Sequence, residues 1–208
     1  TNVLVDLTIS EQGGPFVTIE YDLGVPDLSP ASPAFVFVRF SLDDGKNWHA
    51  LPAQFLRGDG HAIVESHGHK KLLWWGVDQF GIADAGQLKI AVRGLRMVRV
   101  PGGAFKMNLI PGGGFDTSKS EIDQATLPTF HIAKYETTVG MYADYLNETG
   151  KDGRGWDKFM ANPERCGIER NDNDTYTVTP GREMYPVNYV SWYAAQAFLA
   201  WAGLRLPT

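Results

Sequence analysis

For its first 96 residues this sequence offers no stretch of helical periodicity long enough to build a helix. It is organised instead as short runs rich in β-branched and aromatic residues, punctuated by Gly, Pro and Asp. Phe16-Val-Thr-Ile-Glu-Tyr21 alternates, and Phe35-Val-Phe-Val-Arg-Phe40 follows it. Then come His61-Ala-Ile-Val-Glu65, Lys70-Lys-Leu-Leu-Trp-Trp75 and Leu88-Lys-Ile-Ala-Val-Arg93. Between the second and third runs, Asp43-Asp-Gly-Lys-Asn-Trp48 reads as a turn, because Asp-Gly tolerates the positive φ that tight turns demand. Short strands at this spacing make an antiparallel β-sandwich, expected over residues 1–96.

The texture changes near Arg96. Met97-Val-Arg-Val-Pro-Gly-Gly-Ala-Phe105 opens a new pattern without an obvious linker, so two abutting domains are expected, 1–96 and 97–208. Gly112-Gly-Gly114 reads as a flexible loop and Phe130-His-Ile-Ala-Lys-Tyr135 as a strand. A helix is expected from Glu136 to Asn147, with Thr137 or Thr138 capping its free amides and Val139, Tyr142 and Leu146 on one face. Gly150 can end it. Residues 151–184 are polar and rich in Gly, Asn and Asp, as in a long surface loop, with a small hairpin around Thr175-Tyr-Thr-Val-Thr179. Tyr185–Val190 reads as a strand. A last helix begins at Ser191 as N-cap, with Ala194, Ala195, Phe198, Leu199 and Ala202 as its apolar stripe and Gly203 as its stop.

Composition removes whole classes of function. The 43% hydrophobic content suffices for a buried core, and 24 acidic against 19 basic residues give a net charge of −5. That balance argues against nucleic acid as a partner. No apolar run approaches the roughly 18 residues of a membrane span. One cysteine, Cys166, rules out an internal disulfide framework or a cysteine-based zinc cage.

Four segments of the second half resemble, in order, the formylglycine-generating enzyme (sulfatase-modifying factor) family. Met97–Phe105 is similar to its opening "hydrophobic–Pro–Gly–Gly–x–Phe". Leu127-Pro-Thr-Phe-His-Ile-Ala-Lys-Tyr-Glu-Thr-Thr138 resembles the strand that leads into its first helix. Tyr185-Pro-Val-Asn-Tyr-Val-Ser-Trp192 and Gly203-Leu-Arg-Leu-Pro-Thr208 match "Pro-Val-x-x-Val-Ser-Trp" and "Gly-x-Arg-Leu-Pro-Thr" and are the most specific. Lys106-Met107-Asn108 departs from the Met-Gly that often follows the first motif. The resemblance implies an irregular α+β domain related to C-type lectins, represented here by its N-terminal part and continuing past Thr208.

The same resemblance implies that the paired catalytic cysteines, and calcium or copper where present, belong to that later part. No catalytic, cofactor-binding or metal-binding residue of the family maps onto this chain, and no cofactor is evident in it. Family members include oxidases, iron-dependent enzymes and non-catalytic binding proteins, so the name does not settle the function. The first half in turn resembles immunoglobulin-like or fibronectin-like modules of extracellular proteins. Together these suggest a secreted or cell-envelope binding or structural module with a protein or glycan partner, the remainder of its own domain included. The alternative is the N-terminal part of a formylglycine-generating oxidase or related metal-dependent enzyme.

Several residues admit a chemical role beside a plainer one. Cys166 as a nucleophile or copper ligand needs a lowered pKa and a partner, and an incidental loop thiol is simpler. His61, His67 and His69 could meet a metal, but their neighbours read as a turn. Asn171-Asp-Asn-Asp174 with Glu169 offers oxygen ligands for calcium, and turn chemistry explains it equally. Asp116, Glu121 and Asp123 are candidate acids in a solvated stretch. Trp48 with Trp74 or Trp75 could form an aromatic platform for glycans, though neighbours in a strand face opposite ways, so one of Trp74 and Trp75 is core. Trp192 and Arg205 are expected to serve the fold, one filling core volume and the other buried among acceptors. Asn147-Glu-Thr149 and Asn173-Asp-Thr175 fit the glycosylation sequon, a triplet common by chance.

Overall fold

A computed structural model describes residues 6–10, 16–23, 27–59, 62–82, 88–108, 122–149, 156, 160 and 162–207. The first half supplies β1 (Asp6–Ser10), β2 (Phe16–Leu23), β3 (Ala34–Ser41), β4 (His49–Ala50), β5 (Leu56–Gly58), β6 (Ala62–Val64) and β7 (Gly68–Trp75). Then come β8 (Lys89–Val100), β9 (Gly103–Asn108), β10 (Ile122–Leu127), β11 (Phe130–Ala133), α1 (Val139–Thr149), α2 (Pro163–Cys166), β12 (Ile168–Arg170), β13 (Tyr176–Val178) and α3 (Trp192–Trp201).

Two antiparallel sheets face each other, as the strand pattern demanded. One runs β1-β2-β7-β5; the other runs β11-β8-β3-β4, with β6 also paired to β3. Alternation aims Val17, Ile19 and Tyr21 of β2 and Leu72 and Trp74 of β7 at Val36, Val38 and Phe40 of β3. Trp74 is fully buried there against Phe40, at 4.9 Å between ring centroids, whereas Trp75 points outward. The Tyr21 hydroxyl donates to the Asp59 carbonyl, and burial pushes its pKa well up.

β3 is buried along its whole length. Its even-numbered apolar residues fill the sandwich. Phe35 and Phe37, on the other face, pack with Met97 of β8 and with Trp201 and Leu204 from the end of the chain. A strand that reads as an unbroken apolar run is one covered on both faces. Here the second cover is the C-terminal half. β8 reinforces this continuity. It crosses the expected division at 96/97 without a break, pairing with β3 over Lys89–Arg96 and with β11 over Met97–Val100.

In the second half α1 and α3 share a core of Val139, Tyr142, Tyr145, Leu146 and Phe198, closed below by Ile168 and Tyr176 of the β12–β13 hairpin. Both helix starts are capped by the expected residues. Thr138 Oγ1 accepts from the Met141 amide, and Ser191 Oγ accepts from the Ala194 amide. Gly203, at φ +75°, stops α3. Gly102 of the Pro-Gly-Gly motif has no room for a side chain, since a Cβ would lie 2.6 Å from the Thr129 amide nitrogen. The motif therefore lets β9 begin against Pro128 and Thr129.

Two expectations fail locally. Tyr185–Val190 is not a strand. It makes a single bridge, Thr138↔Pro186, because its partner is the start of α1, where only the Tyr185 and Val187 backbones find bonds. Trp192 and Arg205 are exposed rather than buried. Trp192 opens the first turn of α3, off the 194/198/202 line that meets the core, and rests edge-on against Tyr193. The Gly112–Gly114 loop lies outside the described residues.

Between the halves lies the buried guanidinium of Arg39, 5% exposed, with its Nη2 2.9 Å from a Glu148 oxygen that is itself 6% exposed. Its Nη1 is 3.2 Å from Asp144, and its Cζ lies 5.2 Å from the ring centre of Trp201. Arg39→Ala leaves Glu148 enclosed without its countercharge, so the expected loss in urea denaturation is about 3–5 kcal/mol. A loss below about 1 kcal/mol would show that the pair behaves like a solvated one.

Candidate functional site

The turn between β3 and β4 is built by its own side chains. Asp44 and Gly45 take positive φ, +61° and +87°, as the Asp-Asp-Gly spelling anticipates. Ser41 Oγ donates to Asp43 Oδ1 at 2.8 Å and accepts from the Gly45 amide at 2.9 Å. Asp43 also accepts from the Asn47 amide at 2.8 Å and from the Asn47 side-chain nitrogen. These donors, the Asn47 backbone first, hold the Asp43 carboxyl down at about 2.

Behind the turn, Glu148 of α1 accepts from the Ala50 amide and from Arg39. The result is a cleft of about 350 Å³ where the sandwich meets α1, lined by Leu42, Asp43, Asn47, Trp48, His49 and Glu148, with Asn147 beside them. Trp48 is half-buried, and the Arg39 guanidinium lies 6.0 Å from its ring centre. This size suits a small ligand or one unit of a larger one. Sequence reading found Trp48 but missed Arg39, Asp144 and Glu148. The signal available was an Arg in phase with Phe35 and Phe37 on an apolar strand.

A second hollow, of about 320 Å³, lies beside α3 and is mostly apolar: Tyr142, Val187, Val190, Ala195, Leu199 and Leu206 line it, with Glu136 and Thr137 among them. Ala195 and Leu199 of the expected stripe are half-buried for this reason, while Ala194, Phe198 and Ala202 are buried. The adjoining chain leaves Met184, Tyr185, Trp192 and Tyr193 largely exposed.

The remaining candidates fall apart as sites. Cys166 is no loop thiol at the surface. It is buried, with Sγ 3.0 Å from the Met160 carbonyl oxygen and 3.1 Å from that of Ile168. His61, Asp116 and Glu121 lie outside the described residues, as does the side chain of Asp123. His67 is exposed, and exposed His69 sits 3.3 Å from Glu20 and 3.4 Å from Asp22, in a charged ladder completed by Lys71. Lys71, then His69, hold the Glu20 carboxyl below its ordinary range.

Asn171–Asp174 is a turn closing the β12–β13 hairpin. Asp174, at φ +59°, pairs with Arg170 at 2.7 Å, and the Asn171 amide donates to Thr175 and Thr177. Glu169 is exposed beside it. Among the described residues no three His, Cys, Asp or Glu side chains converge on a metal position. Of the sequons, Asn147 is engaged at both amide atoms by the Tyr176 backbone, and Asn173 lies in the exposed turn.

Two outcomes test this picture. In the folded protein Cys166 should resist thiol reagents and react fully once denatured; rapid labelling of native protein would contradict its enclosure. Because the folded pKa of Asp43 lies below its ordinary 3.8, the turn's stabilisation is present above that value and is lost as pH falls toward 2. Asn47→Ala keeps the backbone donor and removes the side-chain one, so the Asp43 midpoint, followed by NMR, should rise part of the way to 3.8. An unmoved midpoint would show that the amide side chain does not hold the carboxylate.

Comparison with known proteins bears on the C-terminal part. Residues 86–208 match the model of the sulfatase-modifying factor enzyme 1-like domain. The hercynine oxygenase of Mycolicibacterium smegmatis is 29% identical over 132 residues, 52% of this chain and 30% of its own length. The formylglycine-generating enzyme of Streptomyces coelicolor is 27% identical over 136 residues, 53% of this chain and 43% of its own. The serine/threonine-protein kinase pkn1 of Chlamydia pneumoniae is 25% identical over 112 residues, 54% of this chain and 17% of its own. The chain thus spans less than half the length of these curated relatives.

Proposed function

Because the chain belongs to the sulfatase-modifying factor enzyme 1-like family, we propose that it acts as a binding or structural module at the cell envelope or outside the cell. In this reading a β-sandwich over 1–96 presents ligand jointly with the family domain over 97–208, which has the lectin-like fold of that family.

The observation that carries the reading is the cleft where the sandwich meets α1, lined by Trp48, Asp43, Asn47 and Glu148. The chain's single thiol is buried and engaged by two backbone carbonyls. It is not the exposed thiolate that a nucleophilic role for Cys166 itself calls for. The described residues fit copper no better, having one enclosed sulfur, and the oxygens of Asn171–Asp174 are engaged within their own hairpin. What they do form is a partly aromatic cleft between the two halves.

A second reading draws on the names of two relatives, a hercynine oxygenase and a formylglycine-generating enzyme. The module would then be the N-terminal part of a longer oxidase or related metal-dependent enzyme. Copper or calcium would be held by residues outside this sequence, and that remainder of the domain would cover the hollow beside α3. Aerobic incubation of the full-length protein that carries this module with a sulfatase-type cysteine peptide separates the two. The binding reading expects no aldehyde by hydrazide capture and mass spectrometry, and clear turnover would overturn it.

A further inference from the structure

The cleft between the β3–β4 turn and α1 has a lining that selects for one kind of ligand. Trp48 supplies an aromatic surface and Leu42 an aliphatic one. Around them stand planar polar groups: the Asn47 amide, the exposed His49 ring, and the carboxylates of Asp43 and Glu148.

Electrostatics narrow the choice. Asp43 brings negative charge to the cleft and the Glu148 charge is offset by Arg39, so an anion or a nucleic-acid phosphate finds no free countercharge there. Glu148 is already neutralised by Arg39, and the Asp43 oxygens accept from Ser41 and Asn47, so a free cation gains little. A purely apolar segment would desolvate these polar edges without return. What remains is a neutral molecule with one apolar face and a rim of hydroxyls. Hydroxyls can donate to spare carboxylate and amide lone pairs and accept from imidazole or indole N–H groups.

We propose that this cleft binds a neutral saccharide ring, with Trp48 as the stacking surface and Asn47, His49, Asp43 and Glu148 as hydroxyl partners. This deepens the binding-module reading, on which it rests, by naming its ligand class. The site is pre-organised. The turn is fixed by Ser41, Asp43 and Asn47, and Glu148 is clamped by Arg39 and the Ala50 amide, so little ordering is required on binding. The low pKa of Asp43 keeps its charge, and so the discrimination against acidic sugars, over the whole physiological range.

The experiment is calorimetric titration and saturation-transfer NMR of the whole chain with lactose, maltose, cellobiose and chitobiose, with glucuronate as an anionic comparison. At least one neutral disaccharide should bind saturably, with a dissociation constant of about 1 mM or tighter. Trp48→Ala should weaken it at least about tenfold. His49→Ala, at an exposed position, should weaken it about fivefold without disturbing the fold. Trp75→Ala, on the opposite sheet, should leave it unchanged and serves as the control for non-specific stacking.

Absence of saturable binding by every neutral sugar, binding indifferent to both Trp48→Ala and His49→Ala, or a preference for glucuronate would each overturn the assignment. Such a failure leaves the binding-module reading intact with a protein partner, because that reading falls on the aldehyde assay and not on this titration.

Discussion

A guanidinium taken out of water has to be repaid by everything around it, and in this molecule much of the architecture is arranged around Arg39. Burying such a charge costs several kcal/mol unless its donors are matched. Here the match is a nearly buried Glu148 at 2.9 Å, Asp144 at 3.2 Å and the face of Trp201. Those partners come from α1 and α3, while Arg39 comes from the middle of β3. The fork geometry of guanidinium fixes both distance and direction. The sandwich therefore cannot slide against α1 without stranding a charge.

Apolar packing alone would not impose this. Phe35, Phe37 and Met97 against Trp201 and Leu204 form a contact that tolerates small shifts, since dispersion and burial are not directional. The ion pair gives that contact a register, and β8, shared by both halves, gives it continuity. One consequence is local to the cleft. Glu148 neutralises Arg39, accepts from Ala50 and lines the hollow beside Trp48, so the cleft inherits its shape from the junction.

How far this was legible in the sequence depends on how local the causes are. The cap at Ser191, the stop at Gly203, the Asp43–Trp48 turn and the opposite fates of Trp74 and Trp75 all follow from rules spanning a few residues and could be read directly, and the cap of α1 was narrowed to Thr137 or Thr138. Arg39 with Glu148 could not, because the partners are 109 positions apart and each alone looks ordinary. Tyr185–Val190 misled for a related reason. Its alternation suits a strand, but a strand needs a neighbouring strand, and the chain supplied the start of a helix. Trp192 was misjudged by composition: an indole suggests core, yet its place in the first turn of α3 turns it outward.

The residues that mark the family also differ in kind from those that could do chemistry. Gly102 permits a close backbone approach, Pro186 sits at the one bridge to α1, Ser191 caps a helix and Gly203 ends it. Each answers a local backbone requirement rather than a chemical one. Cys166, with the chemistry a reader looks for first, is engaged inside the fold, while Trp48 and Glu148 of the cleft lie outside the matching motifs. Membership thus follows from backbone needs, while side-chain chemistry is left to other positions, among them the seam that Arg39 holds closed.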